Sequence, residues 1–318
     1  INPAVLTLLL MTLTMSTLFV MLSHHWLLAW LALELNTLSI LPIMMKHHSP
    51  RATEAATKYF LVQAAAAAML LLAGTMTAWK TGHWDITYAT TPATALLTMA
   101  ILLKLGLSPM HFWYPEVLQG STMMTALVIS TWQKIAPLSL FFLTTQALPA
   151  TTLMISGLLS ALLAGWSGLN QTQTRKIMAF SSLAHMGWLL TTVVSNPSLA
   201  SLTFILYTVM ASTLFTTLSM NKTNSLASLN TTWSYSPALL TATLISLLAL
   251  GGLPPLSGFV PKWFILNELT TDGLFMLSLA MALTSLPSLF FYMRMAYLTA
   301  LTLPPSALCA PRSWRLKT

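Results

Sequence analysis

The sequence predicts an all-α polytopic membrane protein: about ten transmembrane helices in two inverted five-helix repeats, with helices 4 and 9 discontinuous. Three observations carry that prediction. The 318 residues are 56% hydrophobic and only 6% charged, where a soluble chain has about 25% charged residues. The apolar residues fall into ten stretches of membrane-crossing length, about 20 residues each. Two of those stretches are broken by glycine and proline, and they lie five helices apart. Five is odd, so equivalent helices in consecutive five-helix units run in opposite directions. That is the pattern of inverted repeats whose ion sites sit at paired discontinuous helices.

In order, the predicted spans begin with Pro3–Leu22 and His25–Met45, the second carrying Glu34 in its middle. The third, Ala52–Trp79, opens with Glu54 and Lys58, an i,i+4 pair in the favourable order. The fourth starts near Ala95, carries Lys104, and is interrupted by Gly106 and Pro109 before His111 and Glu116. Proline has no N–H to give and its ring clashes with the preceding turn, so the helix must kink or stop there. The fifth, Met123–Gln146, places Lys134 near its centre, and the sixth is Thr151–Leu169. The seventh, Lys176–Val194, contains His185, and the eighth runs from Pro197 to Met220. After the polar linker Asn221–Ser236 the ninth begins near Pro237, breaks at Gly251, Gly252, Pro254, Pro255 and Gly258, and resumes through Lys262 to Leu269. The tenth, Gly273–Leu303, contains Pro287 and Arg294. The first half is thus expected over 1–146, the second over 147–303, and a polar tail over 304–318.

Loop charge sets the orientation. Loops after even-numbered spans hold Lys46, Arg51, Arg175, Lys176, Lys222, Arg312, Arg315 and Lys317; those after odd-numbered spans hold Lys80 with Asp85 and Asp272. Both termini are expected on the positive, inner face. The net charge of +8 comes from scattered residues, not a basic stripe, which argues against nucleic acid. One cysteine, Cys309, excludes an internal disulfide, and no Cys/His spacing predicts a metal site. There is no dinucleotide fingerprint and no P-loop.

The informative residues are charges at apolar depth. A charge at the centre of a spanning helix costs about 2.5–3.5 kcal/mol on insertion scales. Lys104 and Lys134 lie more than a turn from their helix ends, too deep to reach the headgroups easily. Glu34 is the natural partner of one of them. Burial disfavours both charges and pairing favours both, so a group so balanced can exchange a proton when its partner moves. Lys262 follows a break and His185 lies in an apolar span; both join the candidate set for proton translocation. The bland alternative is a structural ion pair or hydrogen bond between helices. It suits His111 and Glu116 at the break, and Glu54, Lys58 and Arg294 at helix ends. His24, His25, His47, His48 and His83 read as interfacial, and Trp26, Trp30, Trp79 and Trp84 as an aromatic belt.

The runs HWLLAWLALELNTLSILP, SPRATEAATKYFLVQA, KLGLSPMHFWYPEVLQG, TWQKIAP, AGWSGLNQTQTRKIMAFSSLAHMGW and GGLPPLSGFVPKW resemble the NADH dehydrogenase subunit 2 family of animal mitochondria. These are antiporter-like subunits in the membrane arm of respiratory complex I. The resemblance covers Asn2 to about Leu303. It implies proton translocation across the mitochondrial inner membrane, driven by quinone reduction elsewhere in the complex. It also implies that NADH, FMN, iron–sulfur clusters and ubiquinone bind other subunits, and that the chain works only among other membrane-arm subunits. By motif, Glu34 and Lys104 correspond to a coupled glutamate–lysine pair, Lys134 to a central relay lysine and Lys262 to the lysine of the second broken helix. His185 falls on the polar axis between the halves. Two rival readings are an Mrp-like cation/proton antiporter and a structural subunit that moves no protons. The stretch SALCAPRSWRLKT departs from the family pattern, with no eleventh helix, and Ile1 stands where the family has methionine.

Overall fold

The computed structural model describes residues 2–87, 90–221, 223–229 and 237–300. Lys222, Cys309, Arg312, Arg315, Lys317 and the tail from 304 lie outside the described residues, as does the side chain of His47. Among the described residues eight apolar segments are long enough to cross a membrane, and two broken pairs bring the crossings to the expected ten. The first three are α1 (Pro3–Leu22), α2 (Trp26–Met44) and α3 (Pro50–Thr81). Span four is the broken pair α4 (Thr91–Leu105) and α5 (Trp113–Gly120). Span five is α6 (Met123–Ser130) and α7 (Ile135–Thr144), joined by a 3-10 turn at Trp132–Lys134. Then come α8 (Ala150–Gly168), α9 (Thr174–Ser195), α10 (Pro197–Met220) and the single turn α11 (Leu226–Leu229). Span nine is the broken pair α12 (Pro237–Gly251) and α13 (Phe259–Thr271), and span ten is α14 (Phe275–Ala300).

The helix starts follow local chemistry. The Asn2, Ser49 and Asn196 side chains cap the N-termini of α1, α3 and α10, each followed by a proline at the first helical position. That position needs no N–H and suits the fixed φ of proline. At 32 residues, α3 is roughly 48 Å long, well beyond the ~30 Å hydrocarbon core. Its polar first turns therefore project past the apolar layer.

The two breaks have the same backbone. Gly106 (φ 71°) and Gly252 (φ 78°) are both left-handed, a region open to glycine because it has no Cβ. The N–H of Leu107 donates to Leu102 O and that of Leu253 to Leu248 O, at 2.9 and 3.4 Å. Both bonds close the paired C-terminal motif that ends a helix on a glycine. The segments Lys104–Glu116 and Leu250–Lys262 are in register at this turn: Gly106 matches Gly252, Pro109 matches Pro255 and Pro115 matches Pro261. Neighbours repeat as well. Spans 1 and 2, 2 and 3, 3 and 4, 4 and 5, and 1 and 5 pack together, and so do 6 and 7, 7 and 8, 8 and 9, 9 and 10, and 6 and 10.

Two sequence expectations change here, and the register of the breaks shows an asymmetry. Lys134 is not in a continuous helix, because Pro137 has no N–H for the Gln133 carbonyl and the span tightens into a 3-10 turn. Trp26 is not part of an aromatic belt: it is 3% exposed and packs against Gly74, where an added Cβ would lie 3.2 Å from its own. The lysines near the two breaks are not equivalent, since the register puts Leu250 opposite Lys104 and Glu116 opposite Lys262.

The ends of the bundle sort as the loop charges require. Leu6, Lys46, Thr122, Ser219 and Asn224 line one crevice, which puts the start of α1 and the loops after even-numbered spans at one end. At the other end His25 and Asp85 form an isolated bridge, and the His25 ring stacks on Trp84 at 5.7 Å.

Candidate functional site

A row of buried polar side chains crosses the middle of the bundle, from α2 in the first half to α13 in the second. Lys104 sits in the last turn of α4, 6% exposed. The C-terminal end of a helix carries partial negative charge, so the ammonium is placed where the half-helix favours it. Gln63 Nε2 on α3 donates to the Lys104 carbonyl at 3.4 Å, satisfying a group the break sets free.

Lys134 is 3% exposed. Its ammonium stands 4.9 Å from the centroid of the Tyr114 ring and 5.6 Å from that of Tyr207. A desolvated cation gains about 2 kcal/mol over such a ring face, so two rings are enough to offset the insertion cost of a central charge. Among the described residues neither Lys104 Nζ nor Lys134 Nζ has a hydrogen-bond partner. Both border a cavity of about 20 Å³, whose walls include Asn36, Tyr59, Gln63 and Gln133. A water needs about 10–15 Å³ and two to four polar partners, so this space can hold one.

The row continues into the second half through rings. Tyr114 OH accepts from Ser182 Oγ at 2.8 Å. Tyr207 OH donates to Ser130 O at 3.4 Å, the carbonyl just before the 3-10 turn of span five. The His185 ring lies 5.3 Å from Tyr207, and its Nε2 is 3.4 Å from Tyr292 OH. His185, Tyr207 and Lys262 border a second cavity, again about 20 Å³. Lys262 Nζ donates to Gly251 O at 3.0 Å. Lys262 thus reaches back across its break to the C-terminal end of α12. Both breaks place an ammonium at the negative end of a half-helix, one from the helix itself and one from the segment beyond.

Of the residues singled out from sequence, Lys104 and Lys134 share one cavity, and His185 and Lys262 share the other. Glu34 is not joined to Lys104. Its carboxylate accepts from Thr37 Oγ1 at 3.0 Å, and among the described residues the ion pairs belong to Lys58 alone. The cause is helix phase. Leu33, Asn36 and Thr37 face the cavity, whereas Glu34 sits at the edge of that face beside the exposed Leu35 and Leu38. Glu54 and Lys58 form the expected pair at 2.7 Å, and Lys58 also holds Glu116 at 2.7 Å. Arg294 Nη1 donates to Leu169 O at 2.8 Å, capping the end of α8. The sequence reading missed Tyr114, Tyr207, Tyr292, Gln63, Gln133 and Ser182. Gln63 was the most legible of these, a lone amide on the Tyr59 face of an alanine-rich span.

The family model described as "NADH:quinone oxidoreductase/Mrp antiporter, TM" matches residues 23–288. A second, "NADH dehydrogenase subunit 2 C-terminus", matches 289–318. The goldfish (Carassius auratus) NADH-ubiquinone oxidoreductase chain 2 is 50% identical over 318 residues, covering 100% of this chain and 91% of its own length. The chain belongs to the NADH-ubiquinone oxidoreductase chain 2 family. The ostrich (Struthio camelus) member is 49% identical over 314 residues, 98% of this chain and 91% of that one. The match at 289–318 corrects the expectation that SALCAPRSWRLKT departs from the chain 2 pattern. Among solved structures, a chain of respiratory complex I from Thermus thermophilus superposes with a TM-score of 0.87 at 26% identity, over 94% of this chain and 71% of that one. A chain of the Mrp complex from Dietzia shares the fold, with a TM-score of 0.84 at 18% identity over 93% and 60% of the two chains. The chain 2 family therefore has the antiporter-like membrane fold, and this member is a multi-pass subunit of a larger respiratory assembly.

Proposed function

We propose that this chain carries protons through the membrane arm of mitochondrial respiratory complex I, along the row Lys104, Lys134, His185 and Lys262. The observation that supports it is two buried lysines and a half-buried third, from the two broken spans and the 3-10 turn of span five, ranged along two water-sized cavities with the Tyr207 ring lining the second and lying 5.6 Å from the Lys134 ammonium at the first. A structural subunit gains nothing from ammonium groups that cost this much to bury. Each lysine can release a proton to a bridging water when the local field changes and recover it afterwards. Glu34 supplies one such field. The chain itself performs no redox step; NADH, FMN, iron–sulfur clusters and ubiquinone belong to partner subunits, whose turnover drives the fields. Residues 1–146 and 147–303 act as the two half-paths, and both termini face the matrix.

Lys134→Met tests the reading. It keeps side-chain length and removes the proton carrier, and losing an isolated buried charge need not destabilise the fold. The assembled complex in sealed vesicles should lose proton pumping by about 10²-fold, the scale of removing one proton-transfer group. Coupled turnover with full proton yield in that variant would overturn the proposal.

A further inference from the structure

Away from the buried row, the face with the even-numbered loops carries a cavity of about 270 Å³ lined by Arg51, Glu54, Lys58, Glu116, Gln119 and Lys176. Lys58 holds both carboxylates at 2.7 Å, which leaves one net negative charge among the three, outweighed by Arg51, Arg175 and Lys176 around them. Arg51 and Lys176 line the same cavity, and Arg175 precedes Lys176 in the first turn of α9. Arg175 is held there by the Ser121 carbonyl, to which its Nη1 donates. Among the described residues none of these three cations makes an ion pair. Cations gathered at one place repel each other unless an anion sits among them, and guanidinium groups match the oxygens of a phosphate.

The surface beneath the cavity points to the kind of anion. Leu61 follows Lys58 by three residues on α3 and is 67% exposed. Phe112 precedes Glu116 by four residues at the start of α5 and is 74% exposed. Spacings of three and four put each on the same helix face as its charged neighbour, one turn nearer the membrane centre. A cationic cavity at the polar boundary thus stands directly above an exposed apolar wall. A free phosphate ion would use the first feature alone; an amphiphile uses both.

The geometry points to a binding site for one anionic phospholipid, its phosphate between Arg51, Arg175 and Lys176 and an acyl chain along Leu61 and Phe112. The ligand would tie α3 and α5 of the first half to α9 of the second at the boundary where the Lys58 pairs already join α3 to α5.

The test uses the assembled complex in detergent and a phosphatidylglycerol analogue with a photoreactive acyl chain. Labelling should map to the peptides holding Leu61 and Phe112 and exceed that by the matching phosphatidylcholine analogue. Each basic residue near an anionic lipid contributes about fivefold in affinity, so Arg51→Gln with Lys176→Gln should lower labelling about 25-fold. Lys176→Arg should retain it. The comparison of the two lipids needs only the wild-type complex and stands even if the double variant fails to assemble. Equal labelling by both lipids, displacement of the probe by millimolar inorganic phosphate, or cross-linking of these positions to a partner subunit in place of lipid would each overturn the proposal.

Discussion

Lys262 and Glu116 occupy equivalent places in the two halves and carry opposite charge. Glu116 reaches outward to Lys58, while Lys262 turns inward to the Gly251 carbonyl and the second cavity. The second half therefore has its ammonium beyond the break, where the first half has Lys104 before it. Lys262→Met should abolish coupled proton transfer, and it also leaves the Gly251 carbonyl without its partner, a loss of about 1–3 kcal/mol when a buried acceptor goes unmade. Thermal denaturation of the assembled complex beside its pumping rate separates the two effects: Lys262→Arg should restore stability more fully than pumping. His185 links Tyr207 and Tyr292 within the second half. His185→Phe keeps the ring against Tyr207 and removes the bond to Tyr292. We expect near-normal assembly with proton pumping reduced about tenfold or more, and unchanged pumping would place His185 outside the path.

At the scale of elements, two glycines at the second break differ sharply. Gly252 is left-handed at φ 78°, and an added Cβ would lie 2.9 Å from Lys262 Nζ. Gly251 would meet nothing nearer than 3.8 Å. Gly252→Ala should cost about 1–2 kcal/mol for the left-handed backbone and push Lys262 off its carbonyl, lowering pumping; Gly251→Ala should be tolerated on both counts. Equal behaviour of the two would mean that the turn does not position Lys262. The crossing of α8 and α9 has its own requirement. At Gly187 a Cβ would lie 2.5 Å from Ser160 Oγ and 2.7 Å from Gly157 O, the close approach that small residues permit between membrane helices. Gly187→Ala should destabilise the assembled chain by about 1–3 kcal/mol through overpacking, seen as a lowered melting temperature or reduced assembly.

For the whole molecule, the five-span step between equivalent contacts predicts that residues 3–144 superpose on 150–300 after a two-fold rotation about an axis in the membrane plane. Failure of α4–α5 to fall on α12–α13 in that superposition would remove the repeat. The same architecture puts Lys46 and Lys80 at opposite ends of α3. Single cysteines introduced at the two positions should react from opposite sides of the inner membrane, position 46 from the matrix. Labelling of both from one side would contradict the ten-span arrangement.

The sequence by itself determined the number of crossings, the two breaks and the buried lysines. Those follow from local facts: apolar length, the missing N–H of proline, and the cost of a charge in lipid at any rotation of its helix. It did not determine which way each side chain faces once ten similar apolar helices pack, because hydrophobicity all around a helix marks no inner side. Tertiary structure alone decided that Glu34 stands at the edge of its buried face, that Trp26 turns inward onto Gly74, and that Lys262 reaches back to Gly251. It also brought Tyr114 and Tyr207, from different halves, to 4.9 and 5.6 Å from the Lys134 ammonium. Aromatic rings in an apolar sequence look like packing material, and their value to a buried cation exists only after helices far apart in the chain have met.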